Sequence, residues 1–234
     1  MKNHGLWVTG RMFKKELLLP LDIVQNILHQ DIEKYGKLRV FSKGELLFTS
    51  EEMRSIFFFV LDGRIKVSQV DLASGKEQTL KILTHGDMYD VVTLLDHKLH
   101  DNLLHALDEV TIIVFPIEVV KKWMHEDPDF NKLLFPYIAK QFRDIEELAL
   151  DLSFYDTSTR LLKLISKNID PNDKGNIGLL HDLSHEEIAS LIGTVRKVLN
   201  RNIQTLKSDG IIDVEHKNIK LKDRQKLLEQ LPFT

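Results

Sequence analysis

The sequence predicts an α+β fold: a β-rich N-terminal domain, one long helix and a small helical domain that ends in a two-stranded wing. Three observations support this prediction. Strand and turn signals dominate residues 38–116, an apolar heptad pattern covers residues 129–152, and short helical runs separated by a glycine follow. We place the domain limits at residues 1–129, 130–153 and 154–234.

The composition is that of an ordinary intracellular globular protein. The 234 residues are 43% hydrophobic, and the formal net charge is −3. Without cysteine the chain cannot form disulfides, iron–sulfur clusters or thiolate zinc sites. The N-terminus lacks the pattern of a signal peptide, and no apolar run approaches the ~18 residues of a spanning helix. We therefore expect a soluble, cytoplasmic protein with no membrane partner.

Turn signals separate the predicted strands of the N-terminal domain. Asp62-Gly63 lies between two apolar runs, which is the pattern of a tight hairpin. Gly44 and Gly86 mark further turns at spacings that suit an antiparallel roll or barrel. The run VTIIVFP predicts a buried strand that ends at Pro116.

The predicted long helix carries an apolar seam. Its steps of four, four, three, four and three residues are those of a heptad repeat. The seam packs either against the β-rich domain of its own chain or against the same helix of a second chain, and the spacing leaves both open. Its members, the predicted dimer interface, are Leu134, Ile138, Phe142, Ile145, Ala149 and Leu152.

A helix-turn-helix pattern follows in the C-terminal domain. Ser184 and Glu187 fit the capping box that begins a helix, and Gly193 permits the left-handed backbone of a tight turn. Slightly more basic than acidic residues occur in this domain, so we place any DNA contact there. The apolar positions of the second helix should pack inward; they are Val195, Val198, Leu199, Ile203 and Leu206.

The outward face of the second helix is basic and carries an amide. Arginine can bind guanine, and asparagine adenine, through two hydrogen bonds, so this face suits base recognition in the major groove. The alternative is an ordinary helical hairpin with a solvated basic face. Lys207, His216 and Lys220 suit contacts with phosphates. The predicted DNA-contact residues are Arg196, Lys197, Asn200, Arg201, Thr194, Ser184 and Lys217.

The C-terminal domain closely resembles the winged helix-turn-helix of the Crp/Fnr (catabolite activator protein/fumarate-nitrate regulator) family, in LSHEEIASLIGTVRKVLNRNIQTLKSDGII. The preceding segments are similar to that family's hinge (FYDTSTRLLKLI), its dimerisation helix, and its cyclic-nucleotide-binding β-roll (FSKGELLF, FFFVLDGRIKVS and GKEQTLKILTHGD). The resemblance implies a homodimeric transcription regulator, not an enzyme. It also implies two partners, a two-fold symmetric site on double-stranded DNA and RNA polymerase.

One position of the recognition helix departs from the family pattern. The two base-reading arginines of the family match Arg196 and Arg201, but its glutamate is Lys197 here. Lysine cannot accept a hydrogen bond from cytosine N4, so the resemblance implies an altered half-site.

The β-roll also departs from the pattern of members that bind cyclic nucleotides. Their ribose-binding glutamate is Val91 here, and their phosphate-binding arginine and serine are Asp101 and Asn102. We therefore expect a degenerate effector pocket that binds no ordinary cyclic nucleotide, and we expect no cofactor.

The alternative is a cupin-like metal- or haem-binding sensor or enzyme that uses β-roll histidines. The spacing of His97 and His100 is one that metals use, but no carboxylate completes a recognised metal motif. The available histidines are His85, His97, His100 and His105.

Overall fold

The structure is a computed structural model that describes residues 7–8, 11–12, 31–169, 177–215 and 218–232. Among these residues, no helix is both long enough and apolar enough to span a bilayer.

The described residues form two compact units. One contains the described residues up to Gln69 together with Lys81–Phe142, and the other contains Val70–Leu80 and the described residues from Arg143 onward. The predicted domain limits were placed where the type of secondary structure changes. The observed limits differ, because the long helix is divided after Phe142 and the segment Val70–Leu80 belongs to the C-terminal unit.

Antiparallel strands dominate the N-terminal unit. The strands are β1 (Trp7–Val8), β2 (Arg11–Met12), β3 (Lys37–Phe41), β4 (Ile56–Asp62), β5 (Ile65–Val70), β6 (Glu77–Leu83), β7 (Met88–Tyr89), β8 (Leu103–Ala106) and β9 (Val110–Pro116). The helical segments between them are α1 (residues 31–35), α2 (Ser50–Met53) and α3 (Val91–Asp96). One sheet has the order β3-β9-β4-β7, a second has the order β6-β5-β8, and β1 and β2 pair separately.

Strand β4 explains why the run IFFFVLD is apolar without alternation. Successive side chains of a strand point to opposite faces. Phe57 and Phe59 enter one apolar cluster, and Phe58 and Val60 enter another, so both faces of the strand are buried. The predicted buried strand β9 is confirmed. The chain also turns after Asp62, but the predicted hairpin there is wrong, because β4 pairs with β9 in one sheet and β5 pairs with β8 in the other.

Two helices follow the strands, α4 (Ile117–Glu126) and α5 (Pro128–Phe154). The first turns of α5 pack inside the N-terminal unit, where Leu134 is fully buried and Ile138 is partly buried. Leu134 therefore packs within its own chain, and we leave it out of the proposed dimer face. The remaining seam residues on α5, Phe142, Ile145, Ala149 and Leu152, are all exposed.

The C-terminal unit has the predicted order of helices followed by a wing. Asp156 caps α6 through the Thr159 N–H, and Leu161, Ile165 and Leu199 lie in the core. The elements are α6 (Thr157–Lys167), a 3₁₀ turn (Gly178–Leu180), α7 (His185–Leu191), α8 (Arg196–Ser208), β10 (Ile212–Glu215), β11 (Asn218–Leu221) and α9 (Arg224–Gln230).

One inward position predicted for α8 is wrong. Val195 has 55% of its surface exposed, because it precedes the helix as the N-cap residue in an extended conformation. Helical periodicity cannot be extended across a cap, since the chain there does not yet follow the helix.

Candidate nucleic-acid interface

The turn between α7 and α8 depends on Gly193. Its φ is +65°, in the left-handed region that favours glycine, and the next residue, Thr194, donates its N–H to Ala189 O at 2.9 Å. A Cβ at this position would lie 2.6 Å from Leu152 Cδ2. The predicted role of this glycine as the turn of a helix-turn-helix is therefore supported by both backbone conformation and space.

Helix α7 begins at the predicted capping box. Ser184 Oγ accepts from the Glu187 N–H at 3.2 Å, and Glu187 Oε2 accepts from the Ser184 N–H at 2.6 Å. Two N–H groups at the helix start are thereby satisfied. The hydroxyl of Ser184, a predicted DNA contact, therefore already has a structural role in the free protein.

Arg196 begins α8 and is held by an ion pair. Its Nη1 donates to Glu186 Oε1 at 2.7 Å, and both side chains are more than half exposed. The backbone N–H of Glu186, and then the Arg196 guanidinium, hold the pKa of Glu186 below its ordinary value. Arg196 must leave this carboxylate, or share it, to bind a base.

The next two cations on the outward face of α8 are free. Lys197 and Arg201 are exposed, and neither side chain forms a hydrogen bond or ion pair within the part of the chain that the structure describes. They lie four residues apart, so they face the same side of the first two turns of the helix.

Asn200 differs from its prediction as a free outward residue. It is half-buried, and its Oδ1 lies 2.6 Å from Nδ1 of His185, at the start of α7. The amide thus joins the first turns of the two helices and leaves its Nδ2 group as the donor for a ligand. His185 and Asn200 are fifteen positions apart, and no sequence pattern indicates that they are in contact.

The outer parts of the predicted interface are also paired. Lys207 Nζ lies 3.0 Å from Asp213, and Lys220 Nζ lies 2.6 Å from Glu215. Thr194 is half-buried in the turn. His216 and Lys217, predicted wing contacts, lie outside the described residues.

The tip of the β5–β6 hairpin forms a polar junction with α7 that the sequence did not reveal. Thr79 Oγ1 and Ser190 Oγ are buried and 2.5 Å apart, and Gln78 Nε2 donates to Ser190 O at 2.9 Å. Ser190 Oγ also donates to Glu187 O, so the proton between the two hydroxyls belongs to Thr79. This chain of hydrogen bonds fixes the last turn of α7.

The predicted effector region of the β-roll contains a buried carboxylate. Asp90 is 4% exposed and caps α3, accepting from the Val92 N–H at 3.0 Å and from the Thr93 hydroxyl at 2.6 Å. Val91 is buried in the first turn of α3. The region after the Gly86-Asp87 turn therefore holds an internal negative charge.

The two substituted phosphate-binding positions are not placed alike. Asp101 is exposed, whereas Asn102 is half-buried and donates from Nδ2 to the Tyr89 hydroxyl at 2.9 Å. Burial, together with the charge of Asp90, raises the pKa of Tyr89, so its hydroxyl stays protonated.

The histidines of the β-roll have separate local roles. His85 Nδ1 lies 2.7 Å from Leu61 O, His97 ends α3 in a left-handed conformation, and His100 Nε2 lies 3.5 Å from Asp90 Oδ2. Within the described ranges, no group of three or more His, Asp or Glu side chains is placed to hold a metal ion.

Two family profiles match the chain, each on one of the regions just described. The cyclic nucleotide-binding domain matches residues 38–127, and the Crp-like helix-turn-helix domain matches residues 158–230. They fall in the order expected from the sequence and correspond to the β-roll and to the helix-turn-helix with its wing.

Relatives of similar length match most of the chain. The CRP-like cAMP-activated global transcriptional regulator of Mycobacterium tuberculosis is 23% identical over 190 residues, which are 80% of this chain and 84% of the relative. The global nitrogen regulator of Synechocystis is 24% identical over 198 residues, covering 82% of this chain and 88% of that protein.

Solved structures share the fold. FixK2 from Bradyrhizobium japonicum has a TM-score of 0.72 at 18% identity and covers 85% of this chain and 98% of its own. A CooA mutant from Carboxydothermus hydrogenoformans has a TM-score of 0.71 at 24% identity, with 87% and 93% covered. With both domain profiles in family order and the helix-turn-helix in place, the chain belongs to the Crp/Fnr family of DNA-binding transcription regulators.

Proposed function

We propose that this regulator acts as a homodimer on a two-fold symmetric DNA site and reads each half-site with the first two turns of α8. The observation that carries the proposal is the pair of exposed, unpaired cations Lys197 and Arg201 on that face. Unpaired cations at the start of a recognition helix can bind guanine or phosphate without first losing an ion pair or hydrogen bond within the protein. RNA polymerase is the further partner we propose.

The three cations of α8 have different proposed roles. Arg201 suits a bidentate contact with guanine, and Arg196 suits a second one after it leaves Glu186. Lys197 can only donate, so it favours guanine or a phosphate at the position where an acceptor would favour cytosine.

Selection of bound sequences from random DNA tests these roles. The native protein should select a two-fold half-site, and Lys197→Glu should change the preferred base at one position of each half-site towards cytosine. Lys43→Glu is the matched control, because Lys43 is exposed in the β-roll and carries the same charge change. An unchanged preference in Lys197→Glu would remove Lys197 from the base contacts; no enrichment by the native protein would refute the proposal.

The dimer is proposed to form along α5. Phe142 and Ile145 are 65% and 62% exposed, and with Ala149 and Leu152 they continue the heptad spacing. An apolar row of this kind on a helix fits the same row of a second copy. Sedimentation of Phe142→Glu/Ile145→Glu should show a monomer, while Leu72→Glu, at a residue 94% exposed, should stay dimeric. A native monomer at all accessible concentrations would contradict this proposal.

The β-roll is proposed to have lost ordinary cyclic-nucleotide binding. Asp90 and Asp101 place negative charge where a cyclic phosphate would approach, and no arginine occurs between Arg64 and Arg143. Cyclic AMP at millimolar concentration should give no binding heat and leave the melting temperature unchanged. Saturable binding would refute the proposed loss without affecting the proposed DNA contacts.

A further inference from the structure

A cavity of about 150 Å³ lies within the C-terminal unit. Its walls come from the hairpin tip, the last turns of α5, α6 and the end of α7. Six of its lining residues are leucine or isoleucine, and most of the others are charged. The lining residues are Thr79, Leu80, Asp144, Leu148, Asp151, Leu152, Arg160, Lys163, Leu164, Lys167, Leu191 and Ile192.

Internal pairs neutralise two of the three cations of this cavity. Lys163 pairs with Asp151, and Lys167 pairs with Glu147 on the adjacent turn of α5. The Lys167 ammonium is the first cause that holds the pKa of Glu147 below its ordinary value. These two lysines therefore add little free positive charge to the cavity.

Arg160 is the exception. After the Thr159 N–H, the Arg160 charge helps to lower the pKa of Asp156, but the guanidinium makes no ion pair with the described residues, and its Nε is buried without a hydrogen-bond partner among them. Arg160 nevertheless lines the cavity, and a half-buried guanidinium without an ion pair is a strong site for an anion. Asp144 also has no ion pair among the described residues, but its side chain is exposed. Water therefore screens the Asp144 carboxylate more strongly than the half-buried Arg160 guanidinium.

The guanidinium is also close to the helix-turn-helix. Arg160 Nη1 would lie 3.8 Å from a Cβ on Gly193, at the turn between α7 and α8. Leu191 and Ile192, at the end of α7, form part of the apolar wall. Leu152 lines the cavity and also belongs to the proposed dimer face, so the cavity borders that face.

We propose that this cavity binds a small organic carboxylate whose acid group pairs with the Arg160 guanidinium and whose apolar body packs on the leucine wall. A cavity of this volume holds one aromatic ring. The inference concerns a ligand site outside the β-roll effector region, and it does not depend on the proposed DNA contacts.

Three probes of one shape and different charge test the site in the full-length protein. Benzoate is an anion, benzamide is neutral and benzamidine is a cation. Benzoate should bind saturably with an affinity of about millimolar or tighter, benzamide at least tenfold more weakly, and benzamidine not at all. Equal binding of benzamide, or preferred binding of benzamidine through Asp144, would overturn the proposal, as would no binding of benzoate.

Nuclear magnetic resonance locates the contact. The Arg160 Nε–H resonance, assigned by its loss in Arg160→Gln, should shift saturably as benzoate binds the same guanidinium. Arg160→Gln should weaken benzoate binding at least tenfold, and Arg224→Gln, the same change at an exposed arginine of this unit, should leave it unchanged. Benzoate binding that Arg160→Gln leaves intact would overturn the assignment.

Two further variants keep the test decisive if Arg160→Gln unfolds. Arg160→Lys retains the charge but lacks the planar guanidinium that binds a carboxylate through two hydrogen bonds, and it should weaken benzoate binding severalfold. Leu148→Phe narrows the apolar wall and leaves Arg160 in place, so it should also weaken binding. Native affinity in both variants would place benzoate elsewhere and refute the site.

Discussion

The junction between Thr79 and Ser190 makes a quantitative prediction about the stability of α7. Both side chains are almost fully buried, and the proton between their oxygens belongs to Thr79. Thr79→Val removes this donor but leaves Ser190 its bond to Glu187 O, so we expect a cost of about 1 kcal/mol. Ser190→Ala leaves the Thr79 hydroxyl buried without an acceptor, and the expected cost is larger, about 2–3 kcal/mol.

The double variant separates this junction from a general loss of packing. Replacing both hydroxyls with apolar groups leaves neither oxygen unsatisfied, so Thr79→Val/Ser190→Ala should cost less than the sum of the single changes by about 1 kcal/mol or more. Amide hydrogen exchange of residues 185–191 measures the local free energy of opening. Thr205→Val is the control, because Thr205 is exposed on α8, and we expect a change within about 0.5 kcal/mol.

Additive costs would refute the reasoning. They would mean that Thr79 and Ser190 act independently and that the short distance between their oxygens has no energetic consequence. Equal costs of the two single changes would refute the assignment of the shared proton to Thr79.

Two other predictions concern the same unit. Gly193→Ala should lower stability by about 1–3 kcal/mol, because φ is +65° and the new methyl group would approach Leu152. Gly178→Ala meets no atom of the described residues within 4 Å and should change little in thermal unfolding. Asp156→Ala should cost about 1 kcal/mol through loss of the α6 cap. The Thr159 N–H lowers the pKa of Asp156 in the folded state, so the cap stabilises fully above the unfolded pKa of about 3.9 and is lost as pH falls through the folded pKa. Acid titration of native and variant protein should converge at low pH; a difference that persists there would contradict this origin.

Local chemistry made much of the C-terminal unit predictable. The capping box at Ser184 and the left-handed turn at Gly193 depend on neighbours within a few residues, and both are confirmed. In the N-terminal unit the turn after Asp62 is local as well, but the same signal could not show which strands pair across it. Contacts between distant segments left no such mark, because residues 79 and 190 are 111 positions apart and neither is unusual in its own surroundings.

Helical periodicity showed which positions share a face but not what covers that face. Leu134 and Phe142 are both members of the heptad seam, yet Leu134 is buried in the N-terminal unit and Phe142 is 65% exposed. Asn200 lies on the polar side of α8, as predicted, but His185 occupies its carbonyl oxygen. No sequence pattern marks Arg160, whose Nε is buried without a hydrogen-bond partner among the described residues.

The cap of α3 has a consequence for any redesign of this β-roll. Asp90 holds the start of the helix through the Val92 N–H and the Thr93 hydroxyl. Replacing Asp90 with an apolar residue would leave both donors without this acceptor, at a cost to the helix of about 1 kcal/mol. The charge of this turn can therefore be changed cheaply only through a side chain that still caps the helix, such as asparagine.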